Sequence, residues 1–158
     1  MTRDRLRDAL GLAGFLALSF AIAAAGGAIT ATSVGDWYQA LAKPAFNPPD
    51  WVFGPVWSVL YAMIAAAGWR VWRLRGAREP ALLAWAVQLG LNVCWSFVFF
   101  GARLIGAALV EIVVLLAAII VTARLFWRID RGAALLLAPY GAWVGYATLL
   151  NAALWRLN

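Results

Sequence analysis

Gln88, Asn92, Trp95 and Phe99 recur at intervals of four, three and four residues, which puts two carboxamides and two aromatic rings on one face of a helix. The register repeats in Trp143, Ala147 and Asn151, and again in Trp57 and Tyr61. Such side chains stack and form hydrogen bonds; they do not break covalent bonds. The chain has no His, no metal-ligand cluster, no Gly-rich phosphate loop and no Ser or Cys set beside a base, so ordinary acid, base or nucleophilic catalysis is not expected and no metal or cofactor is required.

The elements that carry these faces must be apolar helices. Hydrophobic residues make up 65% of the 158-residue chain, and its mean hydropathy of +0.83 lies far above that of soluble domains. At about 20 residues per crossing, the pattern predicts spans at 9–31, 52–74, 80–100, 104–126 and 133–155, joined by short links except at 32–51. The expected fold class is an all-α membrane protein, a five-helix transmembrane bundle in a single domain over 1–158. Short links predict that successive helices run antiparallel as neighbours.

The net charge of +6 would suggest nucleic acid in a soluble protein, but the basic residues sit at span ends. Arg3, Arg5, Arg7, Arg70, Arg73, Arg75, Arg78, Arg124, Arg128 and Arg131 fall at one end of the bundle, against Lys43, Arg103 and Arg156 at the other. This asymmetry predicts a cytoplasmic N-terminus and no nucleic-acid partner. The Arg-rich start, apolar run and small residues of AIAAAGGA also have the ingredients of a secretory signal, yet the run is longer than a signal core, and the segment is read as the first span. The single Cys94 lies within a span and predicts no disulfide.

Trp51, Trp69, Trp72, Trp127 and Trp155 lie near span ends, where an interfacial belt explains them. Trp57, Trp85, Trp95 and Trp143 lie deeper and require helix packing or a ligand. If the three marked faces converge, they line a mainly aromatic pocket with a few hydrogen-bonding groups, suited to a flat, apolar, conjugated ligand; core packing, with Asn92 as an interhelical hydrogen bond, is the alternative. On the other side of the third span, Ala86, Gly90 and Cys94 form a small-residue stripe that suits close helix contact, within the bundle or between two protomers. Glu111 is an intramembrane carboxyl, read either as a neutral structural group or as a proton-coupling one. Pro139 predicts a kink near the start of the fifth span.

The link at 32–51 belongs to a stretch from Trp37 to Trp57 with four Pro and three Trp in 21 residues, stiff enough to cover a cavity. That stretch (WYxxLxKPxxxPPxW), with VWSVLY, LNVCWSFVFFG, APYGAW and ATLLNAALWRLN following in order, resembles the tryptophan-rich sensory protein and translocator protein family, TspO/MBR, also called the peripheral benzodiazepine receptor family. The resemblance implies a five-helix membrane receptor, often a homodimer, that binds porphyrins such as protoporphyrin IX and haem and, in some members, sterols and benzodiazepine-type ligands. By motif, the pocket would use Tyr38 and Pro48 of the loop, Trp57 and Tyr61, Asn92 and Trp95, and Trp143, Ala147 and Asn151. The homodimer would use the Ala86, Gly90 and Cys94 stripe. Three functions follow from the resemblance: a porphyrin sensor or receptor, a tetrapyrrole or sterol carrier, and a light-dependent porphyrin-degrading enzyme acting through Trp57 and Trp143. The sensor is favoured, because the short chain lacks the internal repeats of a carrier. The resemblance also implies residence in a bacterial cell membrane, the outer one in a Gram-negative cell being an alternative. Two departures stand out. Asn151 to Arg156 lacks the tyrosine of sterol-binding members, and Phe46 replaces a Trp common in bacterial relatives.

Overall fold

A computed structural model describes residues 3–158, with Arg3 given by its backbone alone. Helix α1 (Arg3–Ala31) leads into the long loop, which contains the short helix α2 (Trp37–Ala40) and a 3₁₀ turn (Asp50–Val52). Helices α3 (Phe53–Arg75) and α4 (Pro80–Ser96) follow, and α4 ends in a π-helical turn (Phe97–Gly101). Helix α5 (Ile105–Trp127), the short α6 (Arg131–Leu136) and α7 (Ala138–Leu157) complete the chain. Five helical segments are long and apolar enough to cross a membrane, so the protein is an all-α, five-span bundle. There is no strand among the described residues.

The helix ends follow local chemistry. Gly76, at φ 84° and ψ 177°, takes an extended positive-φ conformation that glycine alone adopts readily, and α3 stops there. Pro80 opens α4 where a missing N–H costs nothing, and the Glu79 carboxylate accepts from the Ala81 N–H. Asp130 caps α6 in the same way, accepting from the Gly132 N–H at 2.8 Å. The fifth span is interrupted for a single residue where a kink was expected: α6 stops at Leu136, Leu137 keeps right-handed helical dihedrals, and α7 begins so that Pro139, which has no N–H to give the preceding turn, occupies its first turn.

The alternation of directions gathers the N-terminus of α1, the C-termini of α3 and α5 and the starts of α4 and α6 at one end. The Arg70 guanidinium there donates to both carboxylate oxygens of Asp130, at 2.7 and 3.1 Å, tying α3 to the α5–α6 link. The Arg3 side chain, counted with this group, lies outside the described residues. Of the tryptophans expected in a belt, Trp51 and Trp155 are well exposed. Trp69 instead donates its indole N–H to the Asp8 carbonyl of α1, and Trp72 lies against Gly11. Both are half-buried and tie α3 to α1.

One expectation about packing is corrected. Helices α3 and α4 are successive, yet α1 packs between them, and they touch chiefly through Trp85, whose indole N–H donates to the Ile64 carbonyl. Small residues permit this. A Cβ at Gly68 would fall 2.7 Å from the Trp85 ring and 2.8 Å from that of Phe15, so only glycine lets both rings fill the space beside α3. Above this seam α1 and α3 part.

Candidate functional site

Where the helices part, a cavity of about 460 Å³ lies beneath the long loop. Helix α3 contributes Trp57 and Tyr61; α4 contributes Asn92, Trp95 and Ser96; α7 contributes Trp143, Ala147 and Asn151. Ile112 and Leu115 of α5 line it as well. The three faces marked by spacing therefore do converge. Trp85, the fourth deep tryptophan, is buried in the core at 3% exposure and does not reach the cavity.

The loop closes over this space through specific contacts. The Tyr38 ring packs edge-on against Phe99 and tilted against Phe100, and its hydroxyl donates to Asn47 at 2.9 Å. Burial, reinforced by the Asp50 carboxylate, pushes the Tyr38 phenol up to about 12, so it stays a neutral donor across the physiological range. Ser33 donates to the Phe100 carbonyl, and the Arg103 guanidinium donates to Ser33. At the far edge, the Tyr146 hydroxyl donates to the Phe46 carbonyl, and the Asn158 carboxamide pairs with both the N–H and C=O of Ala42. Phe46 thus packs on Tyr146 at the loop's outer edge, half exposed. Pro48 is half-buried within the loop but is not among the residues lining the cavity.

The π-helical turn matters here because it widens the end of α4 and turns Phe99 and Phe100 inward. Phe99 stacks on Trp95 with centroids 5.2 Å apart and planes 26° apart. On the opposite wall Trp57 sits 5.5 Å from Tyr61, and Trp143 meets Phe53 edge-on at 6.0 Å. A flat guest would find ring faces and edges on several sides.

The polar groups are few and mutually oriented. The Tyr61 hydroxyl donates to the Asn92 carbonyl oxygen, and the Asn92 amide donates to the Tyr140 hydroxyl at 3.2 Å. The Trp95 indole N–H donates to the Asn151 carbonyl oxygen at 3.1 Å, and the Asn151 amide donates to the Ile105 carbonyl at 2.9 Å. Asn92 thus forms the interhelical hydrogen bonds of the packing alternative while also lining the cavity. Gln88 is fully buried; its amide donates to the Trp85 carbonyl and its carbonyl oxygen has no partner. Both carboxyl oxygens of Glu111 are likewise buried without a partner. No cluster of three metal-ligating side chains occurs among the described residues.

One wall escaped the sequence reading. Phe20, Ala23, Gly27, Thr30 and Ala31 of α1 line the cavity, together with Gly54 and Ser58 of α3. Gly27, Ala31, Gly54 and Ser58 are exposed, so the cavity opens sideways between α1 and α3. The signal was present: Ala23, Gly27 and Ala31 recur every four residues, a small-residue stripe within the run first weighed as a signal peptide.

A family model described as the TspO/MBR family matches residues 15–156. The chain is 40% identical to the human Translocator protein over 77% of this chain and 75% of that one. It is 37% identical to Tryptophan-rich protein TspO of Chlorobaculum tepidum over 96% and 98% of the two chains. It is 39% identical to Tryptophan-rich sensory protein of Cereibacter sphaeroides over 78% and 77%.

Proposed function

The chain belongs to the TspO/MBR family of multi-pass membrane proteins, and from that premise we propose that it is a membrane receptor or sensor that binds porphyrins, protoporphyrin IX or haem, in the cavity beneath the loop. The observation that carries this reading is the cavity itself: indole and phenol rings from α3, α4 and α7 surround an apolar space of about 460 Å³ that holds only a few polar groups. A conjugated planar macrocycle gains stacking contacts there beyond simple burial. The carboxamides of Asn92 and Asn151 and the Ser96 hydroxyl supply oriented contacts for its polar edge. The site residues of this reading are Tyr38, Trp57, Tyr61, Asn92, Trp95, Trp143, Ala147 and Asn151. Pro48 serves by stiffening the loop.

The related names speak of sensing in one protein and translocation in another; sensing is preferred here because a cavity covered on one side by a tied-down loop supports occupancy rather than passage. The reading takes the arginine-rich end as cytoplasmic. Reporter fusions at the two termini test that orientation, and a C-terminal reporter active only in the cytoplasm would reverse it. Binding is tested by adding protoporphyrin IX to the detergent-purified protein in the dark. Saturable quenching of tryptophan emission is expected, and unchanged emission at micromolar pigment would refute the site.

A further inference from the structure

A second hollow, of about 420 Å³, lies at the arginine-rich end on the outer face of the bundle. It is walled by Leu10, Gly14 and Leu18 of α1, Trp72 of α3 and Leu82 and Ala86 of α4. Its floor is the seam at Gly11, where the Trp72 indole lies so close that a Cβ would stand 2.3 Å from the ring. At Gly14, nothing comes within 4 Å of where a Cβ would be, so the slot is open toward the membrane there. From Leu10 to Leu18 it runs roughly 12 Å along the helix axis.

Charge is placed at one end of this slot. Arg7, Gly11, Gly14 and Leu18 share one face of α1 at i, i+4, i+7 and i+11, and the Arg7 guanidinium sits over the Trp72 ring, 5.2 Å from its centroid. Arg78 follows Ala77, which also lines the hollow, and is exposed. Of the nearby acids, Asp8 lies 3.9 Å from Arg73, Glu79 caps α4, and Asp4, one turn before Arg7 on α1, is exposed and forms no ion pair among the described residues. Among the described residues neither Arg7 nor Arg78 forms an ion pair.

We propose that this hollow binds an anionic phospholipid of the leaflet at the arginine-rich end, with one acyl chain along the slot and the phosphate held by Arg7 and Arg78. The slot is apolar, runs along a membrane-spanning helix and ends at the depth where tails meet headgroups, marked by Trp72. Two arginines without carboxylate partners favour a lipid with net negative charge over a zwitterionic one. This assignment is independent of what occupies the cavity beneath the loop.

The test is native mass spectrometry of the full chain released from mixed phosphatidylglycerol and phosphatidylcholine bilayers. One tightly retained phosphatidylglycerol is expected, preferred on the order of tenfold over phosphatidylcholine. Gly14→Leu, which fills the slot from its open side, loses that adduct. The double variant Arg7→Gln, Arg78→Gln keeps a lipid but takes both kinds equally. Equal retention of the two lipids by the wild type, or an adduct that survives Gly14→Leu, overturns the proposal. So does a crosslinked dimer that disappears in Gly14→Leu while lipid adducts persist, since a second copy would then occupy the slot.

Discussion

The Asn92 carboxamide accepts from one phenol and donates to another, so Tyr61 and Tyr140 together determine which way its polar ends point. Asn92→Leu leaves two buried hydroxyls without that partner, and the expected cost is about 1–3 kcal/mol of stability, read as a lower melting temperature in detergent; an unchanged melting temperature contradicts the network. Spacing alone revealed that Asn92, Trp95, Trp143 and Asn151 lie on helical faces, because a polar or indole side chain stands out against an aliphatic span. Tyr38 and Pro48 were reached only through resemblance, since loop residues carry no period. Phe99 was recognised on its face, but its inward turn with Phe100 depends on a π-helical turn that hydrophobic spacing does not announce. Glu111 stood out in the sequence, and both its carboxyl oxygens are buried without a hydrogen-bond partner in the protein.

Among the helices, the closeness of α1 to α3 depends on Gly11 and Gly68. Gly68→Leu pushes the Phe15 and Trp85 rings apart and is expected to destabilise by about 1–3 kcal/mol, again measured by melting; tolerance of the leucine would mean the seam is looser than the geometry requires. The Arg70–Asp130 pair joins α3 to the start of α6. The hydrogen bond from Arg70 holds the Asp130 carboxyl below the ordinary carboxylate range. The pair therefore stabilises fully at neutral pH, and its contribution fades as pH falls through that range. Because Arg70 is partly exposed, the contribution is at most about 1 kcal/mol. Melting curves from neutral to acid pH should show Asp130→Asn losing less stability than wild type; parallel curves would remove the pair from the account. Span positions and alternating directions were legible from hydropathy and link length. The insertion of α1 between α3 and α4 was not, because a short link sets direction but not angular order around a bundle. The α1 wall of the cavity escaped for a related reason: small residues in a span read equally well as lipid-facing, helix-packing or cavity-lining.

At the scale of the whole molecule, Ala86, Gly90 and Cys94 face outward from the bundle, and a Cβ at Gly90 would meet nothing within 4 Å. The stripe therefore makes no close contact inside the protomer; Ala86 borders the proposed lipid slot, and Gly90 and Cys94, farther along α4, offer the proposed packing surface to a second protomer. Gly90→Leu should abolish crosslinked dimers without altering pigment binding, and a persistent dimer would put the interface elsewhere. The loop, the splayed helices and the aromatic walls have one joint consequence, a mainly aromatic cavity of about 460 Å³, which is the space proposed to hold a flat pigment. Ala147 lies on its wall with room beside it, so Ala147→Trp fills the cavity while leaving the loop contacts and the arginine-rich end untouched. Protoporphyrin IX is achiral in solution and acquires a Soret circular dichroism signal when held in a chiral pocket, so titrating both proteins in the dark compares occupancy directly. The account predicts a saturable signal in wild type and its loss in a folded Ala147→Trp; equal signals from the two proteins would contradict it.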